Sequence, residues 1–355
     1  MTAPIRLAIL GVGLIGQRHL AIASQHASCK VIAAADVMES ARLRVEAHGA
    51  RFYDDHRELL SREQLDGVII ATPNSTHARV GIDCAAAGLP MLVEKPLTDT
   101  LKSGKALLAA AEKAGVSIAV GHHRRFDPAV EVAKSILDRG DLGELTAMQF
   151  IWALRKHDTY YETCWRTSRS SGGGPGLINL IHDIDLMRHF GGEILRVYAE
   201  LGNRARGLDV EDSIAATVRF ASGAVGSLVT SDATPSPWGW EQGSGENPDI
   251  PKTGRNCYRL LGTSAALGLP RLELYRHAAG RTVDWRSPIA PQSITHGTRA
   301  ALQAQLADFC AVVRGDATPR VNGYDGYASL AATLAIIRAG EIGQVVRPEG
   351  AHARA

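Results

Sequence analysis

The chain has little that would tie it to a nucleic acid, a membrane or an oxidising compartment. Its 39 Lys and Arg against 37 Asp and Glu leave a formal charge of +2, which gives no electrostatic grip on a phosphate backbone. No polybasic or amphipathic segment marks a membrane surface, and no apolar run approaches the roughly 20 residues of a spanning helix. The first strand-like run begins at Ile5, which leaves no room for a signal peptide and points to the cytoplasm. Cysteines are few: Cys29, Cys84, Cys164, Cys257 and Cys310. They are odd in number, scattered and without ligand-like spacing, so they read as reduced thiols, and no metal is expected. There is no internal repeat.

What remains is ordinary globular composition, 45% hydrophobic and 21% charged, over 355 residues, enough for two domains. The first apolar run, Ile5 to Leu10, enters Gly11-Val12-Gly13-Leu14-Ile15-Gly16, and a helical pattern follows at once. Each glycine has its own task. Gly11 allows a tight turn, Gly13 lets backbone approach a pyrophosphate, and Gly16 lets the helix pack on the strand. The amides of Leu14 and Ile15 then open the helix toward anionic groups. A second apolar run, Val31 to Ala35, ends in Asp36, twenty residues after Gly16. A carboxylate there accepts from an adenosine ribose and repels a 2′-phosphate, so NAD is favoured over NADP. Arg42 and Arg44 stand close enough downstream to blunt that preference.

Strand and helix patterns alternate as far as Ser117–Val120, which predicts a doubly wound parallel sheet over residues 1–121. Residues 122–355 differ. A helix over 128–138 is followed by strand patterns at 145–154, 194–201, 213–220, 224–231, 258–261 and 271–275, several of them in succession without intervening helices. The expectation is an α/β Rossmann domain followed by an α+β domain with a large, mostly antiparallel open sheet. One face of that sheet would be covered by helices or by another subunit. Helices at 299–314 and 326–339 close the chain and are free to pack back on the first domain; the tail beyond Pro348 is expected to be mobile. Residues 232–254 fit no element, and Trp238 and Trp240 suggest that they wall a substrate pocket or reach a neighbouring subunit.

Ligands in open parallel sheets bind beyond the carboxyl ends of the strands. Three such ends carry chemistry here: Thr72-Pro73-Asn74 with His77 after it, Glu94-Lys95-Pro96, and His122 to Arg125. Lys95, pinned between Glu94 and Pro96, suits a proton shuttle, and a structural pairing with Glu94 is the competing role. The other cluster is Gly172-Gly173-Gly174 leading into a helix over about 176–189. Asn179, His182 and Asp185 recur there at three-residue spacing, along one side.

Gly11-x-Gly13-x-x-Gly16, Glu94-Lys95-Pro96 and the glycine run before His182-Asp183-x-Asp185 together resemble the Gfo/Idh/MocA oxidoreductases. The resemblance implies that Lys95 holds the reacting oxygen and His182 is the general acid/base. It also implies a cis Lys95–Pro96 peptide and a nicotinamide near Thr72, Pro73 and Asn74, with His77 and Glu94 among the cofactor contacts. His122 and Arg125 would lie at the substrate rim, and position adds Tyr160, Trp165, Arg166 and Asn179 as substrate contacts. Many such proteins carry an aspartate four residues before the histidine; Ile178 stands there, and Asn179 is its nearest replacement. An amide takes no proton, so Lys95 and His182 would carry the transfer. Asp185 would orient the imidazole. The implied activity is NAD-linked oxidation of a ring hydroxyl, or ketone reduction, on a sugar, inositol or related cyclic polyol, by a homodimer or homotetramer. Two alternatives stand beside it: a dehydrogenase of aromatic-ring dihydrodiols, and an NAD-binding sensor without turnover.

Overall fold

The protein is described here by a computed structural model covering residues 3–278 and 284–351. Residues 352–355 of the expected tail lie outside that range. Two compact units divide the chain, one of residues 1–123 with 302–330, the other of residues 124–301 with 331–355. Among the described residues, no helix is long and apolar enough to cross a membrane.

The first unit holds strands β1 (Ile5–Leu10), β2 (Cys29–Ala35), β3 (Arg51–Tyr53), β4 (Gly67–Ile70), β5 (Met91–Val93) and β6 (Ile118–Val120). They form one sheet in the order β3-β2-β1-β4-β5-β6, parallel throughout. This is the doubly wound order, and its direction reverses at β1, where the glycine turn begins. The connections carry α1 (Leu14–Gln25), α2 (Arg42–Ala47), α3 (His56–Arg62), α4 (His77–Ala86) and α5 (Leu101–Ala114). β4 is buried at every position, because a parallel sheet is covered on both faces.

In the second unit, α6 (Pro128–Asp138) precedes β7 (Leu145–Ala153), and α7 (Ile181–Gly191) precedes β8 (Ile194–Gly202), β9 (Ser213–Phe220) and β10 (Val225–Ser231). A short helix α8 (Trp240–Ser244) leads to β11 (Tyr258–Gly262), β12 (Ala266–Leu269), β13 (Glu273–His277) and β14 (Ile289–Ser293). The eight strands lie in the order β14-β13-β12-β11-β7-β10-β9-β8. All neighbours are antiparallel except β7 and β10. Val130, Ala133 and Ile136 of α6 and Met187 and Phe190 of α7 form one core with Met148, Phe150, Val218 and Leu228 of the sheet. The opposite face is open, which gives the strict alternation of β9. Two strands were not legible. β12 is four residues with a central glycine, and β14 is wholly exposed and holds Pro291, a residue confined to sheet edges.

Two further features follow from packing. The final helices α9 (Ala301–Arg314) and α10 (Gly323–Ile342) are divided: residues 302–330 belong to the first unit. Leu306, Phe309 and Cys310 enter the core of that unit. Gly67 makes room for them, since a Cβ there would stand 3.0 Å from Val313 and 3.3 Å from Phe309. The tryptophan segment is also more than a loop. Trp240 is fully buried and stacks on Tyr258 at 5.2 Å, and Tyr258 stacks on Phe150 at 4.0 Å. Trp240 therefore plugs its own core and neither walls a pocket nor reaches outward; Trp238 stays exposed.

Candidate active site

In the first unit, β1 runs into Gly11 at φ +91°, where a Cβ would stand 2.6 Å from the Ala71 carbonyl and the Thr72 nitrogen. A Cβ on Gly16 would lie 2.0 Å from the Gly11 oxygen. At Gly13 nothing stands within 4 Å of that position, so the turn is open where a ligand backbone would approach. The start of α1 carries no capping side chain and no acidic residue in its first turn. Leu14 is exposed and Ile15 half-buried. Asp36, just past β2, is locked to this turn: one oxygen accepts from the Val12 amide at 2.6 Å, the other from the Met38 amide at 2.8 Å. Arg42 is held by Glu39 and by Glu46 at 3.7 Å, and lies over the Phe52 ring.

The next strand end offers an orphan. Thr72 Oγ1 is buried and has no hydrogen-bond partner among the described residues, as expected of a group that meets a ligand. Pro73 is exposed and Asn74 half-buried at the start of the following turn. His77 departs from expectation. It is buried with Nδ1 2.9 Å from the Pro96 carbonyl oxygen and Nε2 2.8 Å from that of Thr72. Burial pushes its pKa down. The ring braces two strand ends against each other and leaves neither nitrogen for a cofactor.

Glu94 is likewise a brace. It is 4% exposed, with one oxygen 2.8 Å from His19 Nε2 and the other accepting from the Lys95 amide at 3.1 Å. Burial alone would raise its pKa; the His19 hydrogen bond, with the charges of His19, Lys95 and His123, brings it down to about 2. Gly121 makes room for it, since a Cβ there would lie 2.8 Å from Glu94 Oε2. Both carboxylate oxygens are thus engaged within the first unit. The half-buried Lys95 follows, and the Lys95–Pro96 peptide is cis, as the resemblance implies.

In the second unit, the glycine run is close-packed. A Cβ on Gly173 would stand 2.5 Å from the Trp165 carbonyl oxygen, and on Gly174 and Gly176 2.7 and 2.8 Å from Glu211. Glu211 accepts from the Gly176 amide at 3.0 Å, and burial raises its pKa. Residues Gly176–Leu180 then form a π-helical turn before α7 begins at Ile181. A π turn takes in an extra residue, which breaks the single row assumed for one regular helix. Asn179 stands in the π turn, and its Oδ1 accepts from Lys156 Nζ at 2.6 Å. His182 is buried one step into α7. Asp185 accepts a bidentate pair from Arg125 at 2.7 and 2.8 Å. Arg125 is therefore a buried structural cation, not a rim residue. His122, also expected at the rim, is 1% exposed.

The adjacent Arg124 gathers Asp183, Glu241, Glu246 and the Tyr258 hydroxyl around one buried guanidinium. Burial drives Asp183 up to about 7 against the pull of Arg124. Of the expected substrate contacts, Tyr160, Trp165 and Arg166 are brought together: the Arg166 guanidinium lies 4.0 Å from the Tyr160 ring and 5.6 Å from that of Trp165. Sequence reasoning passed over Lys156, His19 and Glu211. Lys156 had a usable signal, a lysine three residues past a strand, but the strand-end rule was applied only to the first sheet.

Comparison with known proteins agrees. The oxidoreductase family with an NAD-binding Rossmann fold (GFO/IDH/MocA) matches residues 5–122, and the GFO/IDH/MocA C-terminal domain matches residues 130–267. The rhizopine catabolism protein MocA of Rhizobium meliloti is 31% identical over 189 residues, 53% of this chain and 57% of that protein. The match thus spans just over half the length of that relative. The scyllo-inositol 2-dehydrogenase (NAD(+)) of Bacillus subtilis is 30% identical over 251 residues, 66% of this chain and 69% of the relative. Among solved structures, the WlbA dehydrogenase of Bordetella pertussis in complex with NADH and UDP-GlcNAcA shares the fold, with TM-score 0.79 and 22% identity over 97% of this chain and 99% of the other. With both halves of the family matched in order and the glycine turn, the Glu94-Lys95-Pro96 strand end and the His182 helix in place, the chain belongs to the Gfo/Idh/MocA oxidoreductase family.

Proposed function

We propose that the protein is an NAD-dependent dehydrogenase that exchanges a hydride with a ring hydroxyl, or the corresponding ketone, of a cyclic polyol or sugar. One observation carries the assignment. The first unit fits a dinucleotide: an open Gly13, an uncapped α1, Asp36 locked to the turn and a buried, partnerless Thr72 Oγ1. The similarity to a scyllo-inositol 2-dehydrogenase (NAD(+)) supports the substrate class.

Gly11, Gly13, Gly16, the amides of Leu14 and Ile15, Asp36 and residues 72–74 would hold the cofactor, whose nicotinamide supplies the hydride chemistry. Asp36 repels a 2′-phosphate, and Arg42, committed to Glu39 and Glu46, does not offset it; NAD is therefore preferred. Lys95, set by Glu94, stabilises the alkoxide that develops as the hydroxyl proton leaves. His182 takes that proton. Tyr160, Trp165, Arg166 and Asn179 contact the substrate. Assembly as a homodimer or homotetramer through the open face of the eight-stranded sheet belongs to the same proposal, supported by the exposed Tyr198, Val225, Val229 and Leu261 on that face.

The test is NADH formation against a panel of cyclic alcohols, with NADP in parallel. Turnover of inositols or sugars with NAD is expected. Lys95→Ala and His182→Ala should each lower turnover by about a hundredfold or more while NAD still binds. Activity confined to ring dihydrodiols, or tight NAD binding with no turnover of any alcohol, would overturn the proposal.

A further inference from the structure

β7 and β10 are the one parallel pair among the described strands of the eight-stranded sheet, in register from Ala147 opposite Val225 to Ala153 opposite Ser231. Their carboxyl ends are therefore level, and the chain continues the pairing: the Leu154 amide donates to Ser231 and the Lys156 amide to Asp232. Side chains from two chain segments converge at such ends. Here they are Lys156 and Asp232, with Nζ 3.6 Å from Oδ2. The ammonium also lies 4.3 Å from the Tyr160 ring and 5.7 Å from that of Trp152, and the lysine side chain is 10% exposed. A lysine fixed by a carboxylate, an amide and two aromatic faces is no swinging surface group.

Its bond to Asn179 at 2.6 Å has a chemical consequence. An ammonium only donates, so the amide oxygen must be the atom that faces it. The NH2 end is then turned the other way, with two protons to give. Asn179 is half-buried, and among the described residues its Nδ2 makes no hydrogen bond. The π turn places this amide three residues ahead of His182 on a continuous helical run. A carboxylate at this point would accept a proton or a hydrogen bond; the locked amide can only donate in that direction.

We propose that Lys156 is a positioning residue of the substrate site, holding the Asn179 amide so that its NH2 donates to an oxygen of a neutral cyclic polyol or ketone beside the oxygen that His182 serves. This rests on the polyol dehydrogenase assignment above. Lys156 needs no contact with substrate; it acts through the amide.

The test uses the full chain with NAD and a cyclic polyol that it turns over. Lys156→Met and Asn179→Leu should each raise KM about tenfold, the loss of one hydrogen bond to substrate, with kcat within about threefold and NADH affinity unchanged. Because both substitutions act through one amide, the double variant should be no worse than Asn179→Leu alone. Lys156→Arg, which keeps a donor toward the amide oxygen, should recover part of the loss. Asn179→Asp guards against misfolding: it keeps the shape and pairs with Lys156, yet has no N–H, so its KM should rise as in the leucine variant at undiminished thermal stability. Additive losses in the double variant, or wild-type KM in Lys156→Met and Asn179→Asp, would overturn the proposal while leaving the dehydrogenase assignment intact. If the wild-type protein neither binds panel polyols by calorimetry when loaded with NADH nor turns them over with NAD, both fall together.

Discussion

Replacing Glu94 by glutamine isolates the brace beneath Lys95. The carboxylate is buried, and its pKa lies at about 2 against an ordinary 4.5. That depression corresponds to about 3 kcal/mol of folding free energy at neutral pH. The sign is set by the direction of the shift. A carboxylate whose folded pKa is below its unfolded one stabilises fully above about pH 4.5, and the contribution is lost as the pH falls through that range toward 2. Glutamine keeps the volume but has one accepting oxygen for two partners, so its NH2 faces either the Lys95 amide, itself a donor, or His19 Nε2, which can accept only as a neutral ring with its proton on Nδ1. Thermal unfolding followed by circular dichroism between pH 3 and pH 8 measures the effect. For a unit of this size about 2–4 °C accompanies each kcal/mol, so Glu94→Gln should unfold about 6–12 °C lower at pH 7. The gap should narrow on acidification. A midpoint within about 2 °C of wild type at pH 7, or a gap that does not shrink toward pH 3, would refute the reasoning.

Two other perturbations test separate features. Gly16→Ala would put a Cβ 2.0 Å from the Gly11 carbonyl oxygen, and neither backbone can yield without opening the turn. NADH affinity by fluorescence titration should fall about a hundredfold or more, and a fall under about threefold would show that the glycine is dispensable. Asp183 has the opposite pH signature from Glu94. Its folded pKa, raised to about 7 by burial, lies above the unfolded 3.8, so its favourable contribution is present below pH 3.8 and lost as the pH rises through 7. Asp183→Asn should flatten the decline in stability between about pH 4 and pH 7, read by urea unfolding; an unchanged decline would assign it elsewhere in the Arg124 network.

The sequence by itself determined the parts that depend on neighbours along the chain. An apolar run into three spaced glycines gave β1 and the turn, and a carboxylate at the next strand end gave Asp36. Period-two alternation located Ser213–Phe220 to the residue. Only the tertiary structure decided what the polar residues at the strand ends do. His77 turns to Pro96, 19 residues on, Glu94 to His19 across 75 residues, and Arg125 to Asp185 across 60. None of these separations has a local signature. Lys156 looked like a loop lysine until the parallel pairing of β7 with β10 set it beside Asp232 and the π turn brought Asn179 to it. Trp240 looked like an exposed recognition residue until Tyr258 supplied a ring to stack on. Residue type and local spacing fix what a group can donate, accept or bury; whether it meets a ligand or another side chain depends on which distant segment packs against it.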